Sequence, residues 1–148
     1  MRKITICDKE YKIESNGYTR FLYKQVFNRK ILADIGIISE FYEDIEKYSN
    51  KLKKDGISEQ ELNAKVGNYM LTNIDDVLDI IFMLAYIFIL TANSDFKSYE
   101  DWLKELKNIN VNDAWIGEVT EIAVDSFHGS GTIGGIEKNT SKTKSKRK

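Results

Sequence analysis

Proline is absent from the 148 residues, and cysteine and histidine occur once each. Without proline the chain has no rigid polyproline linker and no helix breaker of that type, which favours long helices. The lone Cys7 excludes an internal disulfide framework and fits a reducing compartment, the cytoplasm. One cysteine and one histidine also fall short of the thiolate and imidazole set that usually holds zinc. Long hydrophobic runs are missing too. The strongest, IIFMLAYIFIL at residues 80–90, spans eleven residues, below the roughly 18–20 that cross a bilayer. Asp75, Asp76 and Asp79 precede it and Asn93 and Asp95 follow, so it reads as a buried core helix rather than a membrane span. The opening MRKITICDKE lacks the long apolar core of a secretory signal.

What is present describes one globular domain. At 148 residues the chain is long enough for one domain with a sizeable core and too short for two ordinary ones, and its 42% apolar and 30% charged shares are those of a globular protein. The net charge of −1 conceals an asymmetry. Residues 137–148 carry five lysines and Arg147 against one acid, which leaves residues 1–136 with a net charge of −6. An acidic body with a basic tail argues against a nucleic-acid-binding face on the domain itself.

The chain opens with alternation: Ile4 and Ile6, then Tyr11 and Ile13, predict a short β-hairpin, ended by a turn at Ser15, Asn16 and Gly17. Helical signals follow. Thr19 is placed to cap a helix carrying Phe21, Leu22, Val26 and Phe27 and continuing toward Ile31 and Leu32. Gly36 predicts an interruption. From Ser39, the spacing of Phe41, Ile45, Tyr48 and Leu52 predicts a further helix, with acids at its start, lysines at its end and Gly56 just beyond. Ser58 and Glu61 form a capping-box pattern ahead of Leu62, Val66 and Tyr69. Asn73, with Asp75 and Asp76, is suited to the first amides of the next helix, which enters the apolar run. A helix apolar all round must be surrounded, so this one is expected at the centre. Ser98 opens a stripe of Tyr99, Trp102, Leu103 and Leu106; Asn112 opens a last helix with Trp115, Val119, Ile122, Ala123 and Phe127 on its inner side. The expected fold class is mainly α, with an N-terminal hairpin, a helical domain at residues 1–128 and a flexible tail at 129–148 that cannot bury enough surface to fold alone.

Chemical motifs are thin. Gly129, Gly131 and Gly134 match G-x-G-x-x-G beside His128, but the dinucleotide fingerprint needs a strand before it, a helix after it and a later acid, and none of these is in place. Gly129 reads better as the residue just past a helix end. Asp125, Ser126 and His128 have triad composition, yet neighbours on a helix diverge by about 100°, so Ser126 faces away from the other two. Asp75 and Asp79 share a helix face without a third ligand, and helix-start acids explain Asp75 and Asp76. Asn139 begins an N-x-[Ser/Thr] match that has no meaning without secretion. No catalytic, cofactor or metal residue is therefore expected. Eight tyrosines, seven phenylalanines and two tryptophans supply ample material for a protein partner surface.

The order of features resembles a known family. The hairpin ITICDKEYKI leads into the aromatic helix YTRFLYKQVF; the apolar DDVLDIIFMLAYIFIL precedes SYEDWLKEL; then come NDAWIGEVTEIAVDSF and a lysine-rich end. Across residues 4–127 this is similar to the tail assembly chaperones of long-tailed bacteriophages and prophages of Gram-positive hosts. The resemblance implies a non-enzymatic protein of the bacterial host cytoplasm. Such a protein binds and solubilises the tape measure protein, aids assembly of the tail tube protein around it, and is left out of the mature virion. It also implies, for many members, a programmed ribosomal frameshift near the end of the coding region, and lysine codons form slippery runs. The family brings no catalytic residues. Partner contact is expected at Trp115, Ile122 and Phe127 on the last helix, by a helix-in-groove mode, with a homo-oligomer left open and nucleic acid and membrane not expected as partners. Two other classes stay open: a small phage or mobile-element regulator binding a host protein or nucleic acid through the lysine tail, and a small enzyme using Asp125 and His128.

Overall fold

A computed structural model describes residues 2–127, within which the chain forms a two-stranded hairpin and six helices. The mainly helical class with an N-terminal hairpin is as the sequence predicts. The boundary at residue 128, the glycine-bearing segment and the basic tail lie outside the described residues.

β1 (Arg2–Ile6) and β2 (Lys9–Ile13) pair antiparallel, with Ile4 opposite Tyr11 and Ile6 opposite Lys9. Ile4, Ile6, Tyr11 and Ile13 are the buried face. The turn is two residues long, Cys7 at φ 52° and Asp8 at φ 67°, and this left-handed pair gives the twist that a two-residue hairpin needs.

α1 (Gly17–Phe27) begins earlier than expected. Asn16 is the cap: its side-chain oxygen accepts from the Tyr18 amide at 2.9 Å, while the Thr19 hydroxyl accepts from the Asn16 amide at 3.0 Å. Thr19 is fully buried, 3.0 Å from the Thr91 hydroxyl, which itself donates to the Ile87 carbonyl at 2.7 Å. The single hydrogen of Thr91 is thus used, so Thr19 donates to it and ties the start of α1 to the central helix. α1 does not continue to Leu32. Asn28 turns left-handed at φ 55° and ends it.

α2 (Ile31–Lys54) runs for 24 residues straight through Gly36. The buried residues Ile31, Ile35, Ile38 and Phe41 recur at helical spacing on both sides of that glycine. Each buries enough apolar surface to contribute about 1.5–3 kcal/mol, against roughly 1 kcal/mol for one interior glycine. Continuity wins. Gly56, at φ 74°, follows the helix end as expected. α3 (Glu59–Asn73) is capped by Ser58, whose hydroxyl accepts from the Glu61 amide at 3.1 Å. It has no buried residue and lies along α2, with Tyr48 and Tyr69 stacked at 4.6 Å.

α4 (Asp75–Ala92) is the centre: β2, α1, α2, α3 and α6 all pack on it. Residues 84–89 are buried without a break, so the helix has no water-facing side along that stretch. Its start has no side-chain cap, because the Asn73 amide group instead donates to the Tyr69 carbonyl at 2.7 Å and closes α3. α5 (Tyr99–Glu105) is capped by Ser98 and drives Trp102 into an aromatic cluster, 5.9 Å from Tyr86 and 6.4 Å from Tyr11. α6 (Ala114–Phe127) begins two residues after Asn112; Asp113, whose carbonyl accepts from the Ile116 amide at 3.1 Å, stands directly before it. Among the described residues no helix is long and apolar enough to cross a membrane.

Gly36 gives a direct test of the helix argument. A Cβ added there meets nothing within 4 Å and the backbone is already helical. Gly36→Ala is expected to raise stability by roughly 0.5–1 kcal/mol, read as an increased urea midpoint at unchanged m. A lowered midpoint contradicts the description of α2 as one continuous helix.

Candidate functional site

The residues singled out in the sequence separate into covered and exposed ones. Trp115 is 3% exposed and Ile122 6%; both fill the core, Trp115 against Phe82 with ring centroids 5.5 Å apart. In the folded chain they offer almost no side-chain surface to a partner, because α6 turns its apolar stripe onto α4. Phe127 is half-buried against the same core. Asp125 and Ser126 are exposed at the end of α6 beside Arg2, Glu14 and Ser15, while His128 lies outside the described residues. Asp75 and Asp76 are exposed on the first turn of α4, and the described residues contain no group of three or more His, Cys, Asp or Glu side chains placed to hold a metal ion. Asp79 faces Tyr99 across a cavity also lined by Ile80, Met83 and Leu103.

Among the described residues one charged side chain, Asp34, is buried. Between α1 and α2, Asp34 is 3% exposed and accepts from three donors: the Tyr23 hydroxyl at 2.6 Å, Arg29 Nε at 2.7 Å and Arg29 Nη2 at 2.8 Å. The fork of two guanidinium bonds fixes both carboxylate oxygens. Burial, reinforced by the hydrogen bond to Asp34, pushes the Tyr23 hydroxyl far above its usual range. This triad ties α1, the three-residue link 28–30 and α2 together through one carboxylate.

Outside this triad lies a groove of about 440 Å³. α1 turns Thr19, Leu22 and Tyr23 inward. The opposite face, Gly17, Arg20, Phe21 and Lys24 at helical spacing, forms one wall; Lys30, Leu32 and Ala33 form the other. Phe21 is 56% exposed and Leu32 44%, and Tyr18 stacks on Phe21 at 5.5 Å. Tyr18, Phe21, Val26, Leu32 and Ile37 are five of the seven large apolar side chains that the described residues leave exposed. All five lie on α1 or the first two turns of α2, where Phe21 and Leu32 line the groove and Ile37 lines a separate cavity with Asp79 and Met83. Arg20, Lys24 and Lys30 make no ion pair among the described residues, and no acid lines the groove.

The sequence carried a sign of this groove. Between Glu14 and Asp34 there is no acidic residue, in a chain holding 23 of them. That gap coincides with α1 and its link to α2. Comparison with known protein families, with curated proteins and with solved structures finds no match to this chain.

Removing Asp34 strands the buried Tyr23 hydroxyl, whereas the half-exposed Arg29 can return to water. Asp34→Ala is therefore expected to cost roughly 2–3 kcal/mol and Tyr23→Phe about 1 kcal/mol, in that order, by urea denaturation. Equal or reversed losses contradict the triad. The buried tyrosines give a second expectation. Burial raises Tyr23, Tyr86 and Tyr99, the last to about 12 with help from the charge of Asp79. Above pH of about 10 the unfolded chain releases these protons and the folded chain keeps them. Their stabilising contribution is complete below about pH 10 and is lost as pH rises toward and through the folded values. Tyr99→Phe should flatten the fall in stability between about pH 10 and 12, measured by denaturation at stepped pH.

Proposed function

We propose that this protein is a non-enzymatic tail assembly chaperone, binding the tape measure protein in the host cytoplasm and keeping it soluble while tail tube subunits gather. The observation that carries the reading is the groove between α1 and α2, where exposed Phe21 and Leu32 stand among basic side chains, on a body whose large apolar residues are otherwise mostly covered. Aromatic and aliphatic side chains ringed by cationic ones have the composition of a protein-binding patch. A long coiled client needs its apolar stripes shielded, and a patch of this kind can shield one stripe while the charged remainder of the chaperone keeps the complex in solution. The ordered succession of hairpin, aromatic helix, apolar helix and final amphipathic helix supports the same reading through its resemblance to that family. Contact through α1 and the start of α2, with Tyr18, Phe21 and Leu32 as apolar anchors, takes the place of contact through Trp115 and Ile122.

Co-expression with the cognate tape measure protein tests the proposal. The client is expected in the soluble fraction and in one complex with the chaperone on size exclusion. A client that stays insoluble, or elutes free of the chaperone, overturns it.

A further inference from the structure

We infer that the α1–α2 groove accepts the apolar stripe of an amphipathic helix whose flanks carry carboxylates, and that it rejects a lysine-flanked helix of the same stripe. The inference takes from the chaperone reading only that the partner presents a helix; the chemistry of the partner comes from the groove.

Charge decides the sign. Of the four cations lining the groove, Arg29 is already neutralised by its two bonds to Asp34. Arg20, Lys24 and Lys30 remain, unpaired among the described residues and without a carboxylate beside them. Opposed charges at such spacing add attraction and orient the approach, whereas like charges repel. Phe21 and Leu32 supply the apolar floor between the cations. The first amides of α2 add partial positive charge to the same wall, since Lys30 gives that helix no side-chain cap.

Other occupants fit less well. The chain's own basic tail has the same sign as the groove. A nucleic acid would be attracted by the three cations, but the exposed aromatic pair Tyr18 and Phe21 is stacked on itself rather than open to bases. An amphipathic acidic helix meets both the cations and the apolar floor.

The test uses the full chain and two fluorescent helical peptides of about 18 residues, five turns, with an identical Leu stripe flanked by Glu in one and Lys in the other. The Glu peptide is expected to bind about ten-fold tighter, a difference that shrinks in high salt. In Arg20→Glu/Lys24→Glu/Lys30→Glu the preference should invert, and in the milder Arg20→Gln/Lys24→Gln/Lys30→Gln it should vanish; circular dichroism and Tm check that both remain folded. Equal binding of the two peptides by the wild-type protein overturns the inference. So does a preference that survives both substitutions, displacement of the Glu peptide by an oligo-dT strand, or a homodimer whose formation is abolished by the same substitutions. Failure of the chaperone reading is seen separately: a wild-type protein that prefers the Glu peptide yet leaves the tape measure protein insoluble sinks the chaperone and keeps the groove chemistry. A wild-type protein that binds the two peptides equally yet keeps the client soluble does the opposite.

Discussion

Water has no place along residues 84–89 of α4, and the remaining elements are arranged to keep it out. A helix buried on all sides must be walled on all sides, and the chain does this with unlike pieces: a hairpin, α1, α2 and α6, with α5 reaching in through Trp102. Each piece spends its own apolar face on that wall. This is why the stripes of α1, α2 and α6 are mostly unavailable to partners, and why the residues left exposed stand out. The Thr19 and Thr91 hydroxyls meet inside this packing without an orphaned hydrogen, so a polar link between α1 and α4 survives in an apolar setting.

The α1–α2 corner departs from that pattern by burying charge. A carboxylate at 3% exposure is tolerated because three donors converge on it, two from a guanidinium. An apolar trio of similar volume would serve stability as well or better. What the triad adds is geometric definition to the short link between two helices whose outer faces bear exposed aromatic, aliphatic and basic side chains. Rigid support beneath an exposed patch lowers the ordering cost of any contact made there.

Much of the fold was legible because local and global demands agree. Alternation at Ile4 to Ile13, the caps at Ser58 and Ser98, and the eleven-residue apolar run each point to one structure. Where two local signals competed, packing chose. Gly36 lost to the stripe from Ile31 to Phe41, and Thr19 sits at the third helical position instead of at the cap, its hydroxyl closing the box on the Asn16 amide while it meets Thr91. The groove was harder to read. Its cations are visible as an acid-free stretch, but which face of α1 they share with Phe21 depends on which face α4 covers, a long-range contact that no short window contains. Trp115 and Ile122 show the converse. Large apolar residues suit a core and an interface equally, and only the tertiary arrangement separates the two.

α3 contributes none of its 15 residues to the buried core; it is held by half-buried contacts such as Tyr69 on Tyr48. Free energy is therefore distributed unevenly along the chain. Detaching α3 uncovers no fully buried side chain of its own, so it is the segment expected to open first while the other walls around α4 remain closed. The molecule's thermodynamics are those of a firm nucleus with one loosely annexed helix.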